Sequence, residues 1–221
     1  MTTATDTYRQ LLDLAVGVVL VAAVLALWRR SLHAIVRVLA LQGAAVAAVA
    51  LLVGVHHSEP RDLAAAGLFA VVKIVVIPSV LWRIVREAPD QRETEPLANT
   101  AATLLGTAVL TVVAFAATRG LVGLGTTAES TVLPAAFAVV LIGFFAMVVR
   151  RNAVAQVVGF LLLENGIAVV ALLASAGLSL GVELAIALDL LLAVLVLQVL
   201  TTRMQAKFGG LELDHLNELR D

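Results

Sequence analysis

The 221-residue chain contains no cysteine, only 14% charged residues, 5% aromatics and a formal net charge of -1. Without cysteine it forms no disulfide and ligates no iron-sulfur or other thiolate-held metal centre, so a redox centre of that kind would have to sit in another chain. Its basic residues are few and scattered, which excludes the clustered basic face a nucleic-acid partner needs. No Ser/His/Asp, Cys/His or metal-protease constellation appears, and neither a catalytic residue nor a bound cofactor is expected. What fills the space instead is apolar: 61% of residues are hydrophobic and the mean hydropathy is +1.03. A water-soluble domain is roughly half apolar and about a quarter charged, so this composition points to a membrane protein.

A spanning helix takes about 20 predominantly apolar residues, and the charged, Gly and Pro breaks divide the chain into seven such stretches. They run approximately from Tyr8 to Trp28, Leu32 to Val55, Leu63 to Trp82, Leu97 to Thr118, Val132 to Val149, Ala153 to Gly177 and Ser179 to Thr201. The first is too long for a signal peptide and carries its basic pair, Arg29 and Arg30, after the apolar run rather than before it. The expected fold is therefore all-α and polytopic, with a transmembrane domain over 1–202 and a cytoplasmic tail over 203–221. Of the 15 basic residues, ten fall in loops on one side of such a seven-span chain (Arg29, Arg30, Arg83, Arg86, Arg92, Arg150, Arg151, Arg203, Lys207, Arg220) and three on the other (Arg9, Arg61, Arg119). By the positive-inside rule the N-terminus is outside and the C-terminus cytoplasmic, in a cell inner (plasma) membrane.

Shifted by 121 positions, Arg29 to Leu52 falls on Arg150 to Leu173 without a gap, and Asp62-Leu63-Ala64 falls on Glu183-Leu184-Ala185. The sequence admits two readings of this: chance among Ala, Val and Leu, or a parallel repeat of spans one to three in spans five to seven.

Ionisable residues inside spans cost at least a few kcal/mol and mark pairs or pathways. Lys73, Glu164 and Asp189 each lie roughly 15 Å inside an end at about 1.5 Å per residue, so three helices bring three such groups to one depth. Arg37 is shallower, one turn from His33 on the same face, and Gln42, Gln156, Asn165 and Gln198 add neutral polar groups. One reading is a buried salt bridge that only fixes packing. The other is a proton track through Lys73, Glu164 and Asp189, with Arg37 beside it and Glu183 as its outer mouth. Low dielectric and a neighbouring ammonium act on a carboxyl in opposite senses, and a group so balanced can change protonation near neutral pH. Pro78, five residues beyond Lys73, is expected to disturb the helix one turn before it, as a kink or as an opening of the backbone. His56-His57 reads as polar loop rather than metal site, and Gly120, Gly123 and Gly125 as a flexible outer loop. Beyond the Gly209-Gly210 break, the leucines and acids of the tail admit a disordered tail or one that rests on the membrane surface or a partner subunit, and the many acids favour a protein partner over anionic lipid.

Arg151-Asn152, Gln156, Gly159 and Leu163-Glu164-Asn165-Gly166, followed by Glu183 and Ala187-Leu188-Asp189, resemble component E of the hydrogenase-4 and formate hydrogenlyase family. Lys73 with Pro78 is compatible with that pattern. The last third is also similar to the small K subunit of respiratory complex I and its cation-antiporter relatives, through Arg150-Arg151-Asn152, Gly159, Asn165 and the acidic tail, although Glu164 sits one turn later than the K subunit's glutamate. The resemblance implies a proton-conducting membrane-arm subunit of a nickel-iron hydrogenase complex, with the metal centres in soluble partner subunits. A subunit of a multisubunit cation/proton antiporter is the alternative.

Overall fold

A computed structural model describes residues 2–29, 31–57, 60–79, 82, 99–124, 127–150 and 153–174. These residues form α1 (Thr2–Trp28), α2 (Leu32–His57), α3 (Pro60–Val71) continued by a π-helical turn over Val72–Val76, α4 (Thr100–Leu124), α5 (Ala128–Val149) and α6 (Ala153–Ala174), with no strand among them. Among the described residues, five helices are long and apolar enough to cross a bilayer: Thr5–Trp28, His33–His56, Thr100–Gly123, Ala128–Val149 and Gln156–Ala174. With no water to satisfy backbone groups in the hydrocarbon, closed helical hydrogen bonding is what such a sequence can adopt. The chain is a multi-pass membrane protein.

Within the third expected span, an apolar helix runs over Ala66–Ser79 among the described residues. The seventh expected span and the cytoplasmic tail lie outside the described residues. Two starts move for local reasons. Helix α4 begins at Thr100 because the Asn99 side chain accepts the Ala102 N–H at 2.7 Å, an N-cap. Helix α5 begins at Ala128, ahead of the expected Val132, because the Thr127 hydroxyl accepts the Ser130 N–H at 3.4 Å and Glu129 lies in the first turn, where the helix dipole favours an acid. The expected glycine loop is helical at Gly120 and Gly123, which belong to α4, and His56 and His57 close α2 instead of forming a loop.

Packing joins α1 to α2 and α5 to α6, then sets α1 against α5 and α2 against α6, with α3 on α2 and α4 on α5. Helices α1 and α5 run parallel. Near their starts the Tyr8 hydroxyl donates to Glu129 at 2.6 Å. At their ends the Arg150 guanidinium donates to the carbonyls of Ala26 at 2.7 Å and Arg29 at 3.1 Å. The closest pair, α5 and α6, meets through small residues. A Cβ on Gly143 would strike the Leu163 backbone, one on Gly159 would lie 2.8 Å from the Met147 nitrogen, and one on Gly166 would lie 2.7 Å from the Val140 nitrogen. Without a hydrophobic driving force between helices in lipid, such close backbone approach is what holds them.

Candidate functional site

The middle of the bundle holds a buried polar chain crossing four helical elements. Lys73, in the π-helical turn, pairs with the Glu164 carboxylate of α6, and both side chains are nearly inaccessible. The Lys73 ammonium also donates to the Asn165 carbonyl oxygen at 2.8 Å. The Asn165 amide nitrogen donates to the Gln42 carbonyl oxygen of α2 at 2.9 Å, and the Gln42 amide nitrogen donates to the Val19 main-chain carbonyl of α1 at 3.2 Å. The direction of this chain is forced by chemistry: an ammonium only donates and a backbone carbonyl only accepts, so both amides between them have one orientation.

Local sequence explains how Lys73 reaches this place. Proline at position 78 has no N–H to give to the carbonyl one turn earlier, and the ladder of hydrogen bonds shifts, with the Ile77 N–H donating to the Val72 carbonyl five residues back. The disturbance expected beside the lysine thus takes the form of a π turn, a feature that concentrates at functional sites. Gly43 of α2 lets that turn come close, since a Cβ there would stand 2.9 Å from the Lys73 carbonyl oxygen. The Phe69 ring, one turn earlier, lies with its centroid 5.4 Å from the ammonium, adding a cation–π contact in a desolvated setting.

Chemically, the arrangement has two unequal arms. The Asn165–Gln42–Val19 arm contains no titratable group and ends on a backbone carbonyl, so it positions Lys73 and carries no proton onward. The Lys73–Glu164 contact is the part that can exchange one. Of the other residues expected on the pathway, Arg37 does not join the chain: it is exposed, with its guanidinium 5.7 Å from the Trp82 ring centroid. Its position in α2 is five residues from Gln42, about 7.5 Å along the axis.

Comparison with known proteins places the chain in a family. It is 50% identical over 213 residues to the uncharacterized protein Rv0085 of Mycobacterium tuberculosis (strain ATCC 25618 / H37Rv), covering 96% of each chain. It belongs to the Rv0085 family. No family model matches the chain, and no solved structure does.

In this member of the Rv0085 family, Glu183 and Asp189 lie outside the described residues. A second cluster, not expected from the sequence, sits at the opposite end of the bundle from Arg150. There Tyr8 is hydrogen-bonded to Glu129 and stacked on His56, with ring centroids 4.0 Å apart and planes within 7°. The separation of Tyr8 and Glu129 is 121 residues, equal to the internal shift, and that equality is the one sequence signal pointing to their contact. Arg150, expected as loop charge, is instead buried. Its guanidinium caps the end of α1, where the helix dipole favours a cation, and its own carbonyl accepts from Gln156 at 3.0 Å.

Proposed function

We propose that the chain is a membrane-arm subunit of a nickel-iron hydrogenase complex and contributes to proton translocation through Glu164 and Lys73, with Asp189 continuing the pathway and Glu183 at its outer mouth. The observation that carries this reading is the buried Lys73–Glu164 pair beside a π-helical turn, in the core of a predominantly apolar helix bundle. An ionisable pair at mid-membrane is retained at a cost of several kcal/mol and is by default a functional site. The resemblance of Leu163-Glu164-Asn165-Gly166 to hydrogenase-4 component E supports the choice of complex. The same reading takes seven spans in the inner membrane, the N-terminus outside and the C-terminal tail on a soluble partner. It also takes α1–α2 and α5–α6 as two copies of one unit: α1 packs on α5, α2 packs on α6, and Tyr8 with Glu129 and Arg29 with Arg150 meet at a separation of 121 residues at opposite ends.

The test is the company the chain keeps. A tagged full-length chain extracted in mild detergent should co-purify with a hydrogenase large subunit and stoichiometric nickel. Recovery with antiporter-type subunits and no nickel would replace the hydrogenase assignment with the antiporter one, while leaving the proton role of Glu164 open to its own test.

A further inference from the structure

A second feature sits at the end of the bundle where α1 stops and α2 begins. Between the first two turns of α2 and the helical segment after the π turn lies an open groove of about 370 Å³, lined by Val36, Arg37, Ala40, Pro78, Ser79 and Trp82. Its composition is graded. Toward the end of the bundle, the Arg37 guanidinium stands over the Trp82 ring and His33 meets the same ring edge-on, at 5.8 Å and 87°. Val36 lines the groove at the level of Arg37, Ala40 and Pro78 are apolar deeper in, and the Ser79 hydroxyl is turned back to the Val75 carbonyl.

Two further observations place this groove at the membrane surface and give it a charge to be met. The chain has two tryptophans, and both sit at this end beneath an arginine, Trp28 under Arg29 at 5.5 Å and Trp82 under Arg37. Tryptophan concentrates at the headgroup level. Arg37 has no carboxylate partner among the described residues, although a lone cation at the edge of the hydrocarbon is costly. A cation at headgroup depth, aromatic rings at the interface and an apolar floor running inward fit a phosphate joined to an acyl chain. A soluble anion would have no use for the floor, and a partner helix would have none for the cation.

We infer that this groove binds an anionic phospholipid, with the phosphate on Arg37 and His33 and an acyl chain along Val36, Ala40 and Pro78. The site is one turn from the Lys73 turn on the α3 side and about one turn from Gln42 on the α2 side, so the bound lipid covers the approach to the buried pair from this end. The inference stands apart from the hydrogenase reading, since it rests on none of Lys73, Glu164 or Asp189.

Native mass spectrometry of the full chain in mild detergent tests it, with phosphatidylglycerol and phosphatidylcholine added in turn. Phosphatidylglycerol should be retained preferentially, and millimolar inorganic phosphate should not displace it. Arg37→Gln should weaken retention about fivefold, the change expected from roughly 1 kcal/mol per basic residue near an anionic surface. Arg37→Lys should keep most of the binding, and Arg9→Gln, at the opposite end, should leave it unaltered. Equal retention of the two lipids overturns the inference, and so does displacement by inorganic phosphate, which would mark a site for free anions. Unchanged retention in Arg37→Gln does the same. The comparison of lipids on the unaltered chain decides the matter even if a variant fails to fold.

Discussion

Helices α4 and α6 are both apolar enough to cross a bilayer, yet 17% of the α4 span is buried against 61% of the α6 span. Both contain polar residues, and the difference lies in where those residues turn. In α4 the hydroxyls of Thr107, Thr111 and Thr118 donate to carbonyls four residues back in the same helix, at 2.8, 2.9 and 2.7 Å. Such a residue is satisfied wherever the helix lies, so it specifies no neighbour. In α6, the Glu164 carboxylate only accepts and cannot be satisfied by its own helix's carbonyls, and Asn165 turns outward from the helix; they are met by Lys73 and Gln42 from other elements. Polar residues that cannot be satisfied locally tie α6 to its neighbours; the hydroxyls of Thr107 and Thr118, although buried, are satisfied within their own helix and tie it to nothing.

The comparison breaks most directly at Lys73. Lys73→Ala leaves the Glu164 carboxylate buried without its cation, a loss of about 3–5 kcal/mol, which should appear as a much lower thermal midpoint or loss of the folded chain in detergent. Replacing both partners by methionine should recover most of that stability, since two apolar residues fill the space without a charge to desolvate. If Lys73→Ala alone is as stable as the native chain, the pair does not organise the bundle. Next in size is Gly143→Val. Its side chain has to enter where the Leu163 backbone stands, so α5 and α6 must separate at a cost of roughly 1–3 kcal/mol, readable by the same unfolding measurement. The smallest effect belongs to α4, where Thr111→Val removes a bond made within the helix and should change stability by less than about 0.5 kcal/mol. A large loss there would show that α4 hydroxyls do reach outward.

Much of this architecture is legible in the amino-acid sequence. Of the seven apolar runs, five coincide with helices long enough to span among the described residues, and the rarity of charge in apolar stretches singles out Lys73 and Glu164, which the fold brings into contact. Proline 78 announces a disturbance at the lysine because a missing N–H is a local fact. What the sequence hides depends on contacts between distant positions. Gly43 is an ordinary small residue until the Lys73 carbonyl is placed against it. Arg150 resembles any other positive loop charge because its value lies in the orphan carbonyls at the end of α1. His56 and Glu129 resemble surface residues because neither shows, alone, that Tyr8 lies between α2 and α5. Depth along the chain groups Arg37 with the pathway, whereas its face of α2 points it to Trp82.

The most direct measurement of the central claim is proton translocation by the intact, assembled complex carrying Glu164→Gln. The substitution preserves size and hydrogen bonding while removing the exchangeable proton, and Lys73 keeps a carbonyl oxygen to donate to. Translocation should fall at least about tenfold, the factor that some 1.4 kcal/mol in a limiting barrier produces, with subunit composition unchanged. Normal translocation by that complex would show that the Lys73–Glu164 pair serves only to hold the helices together.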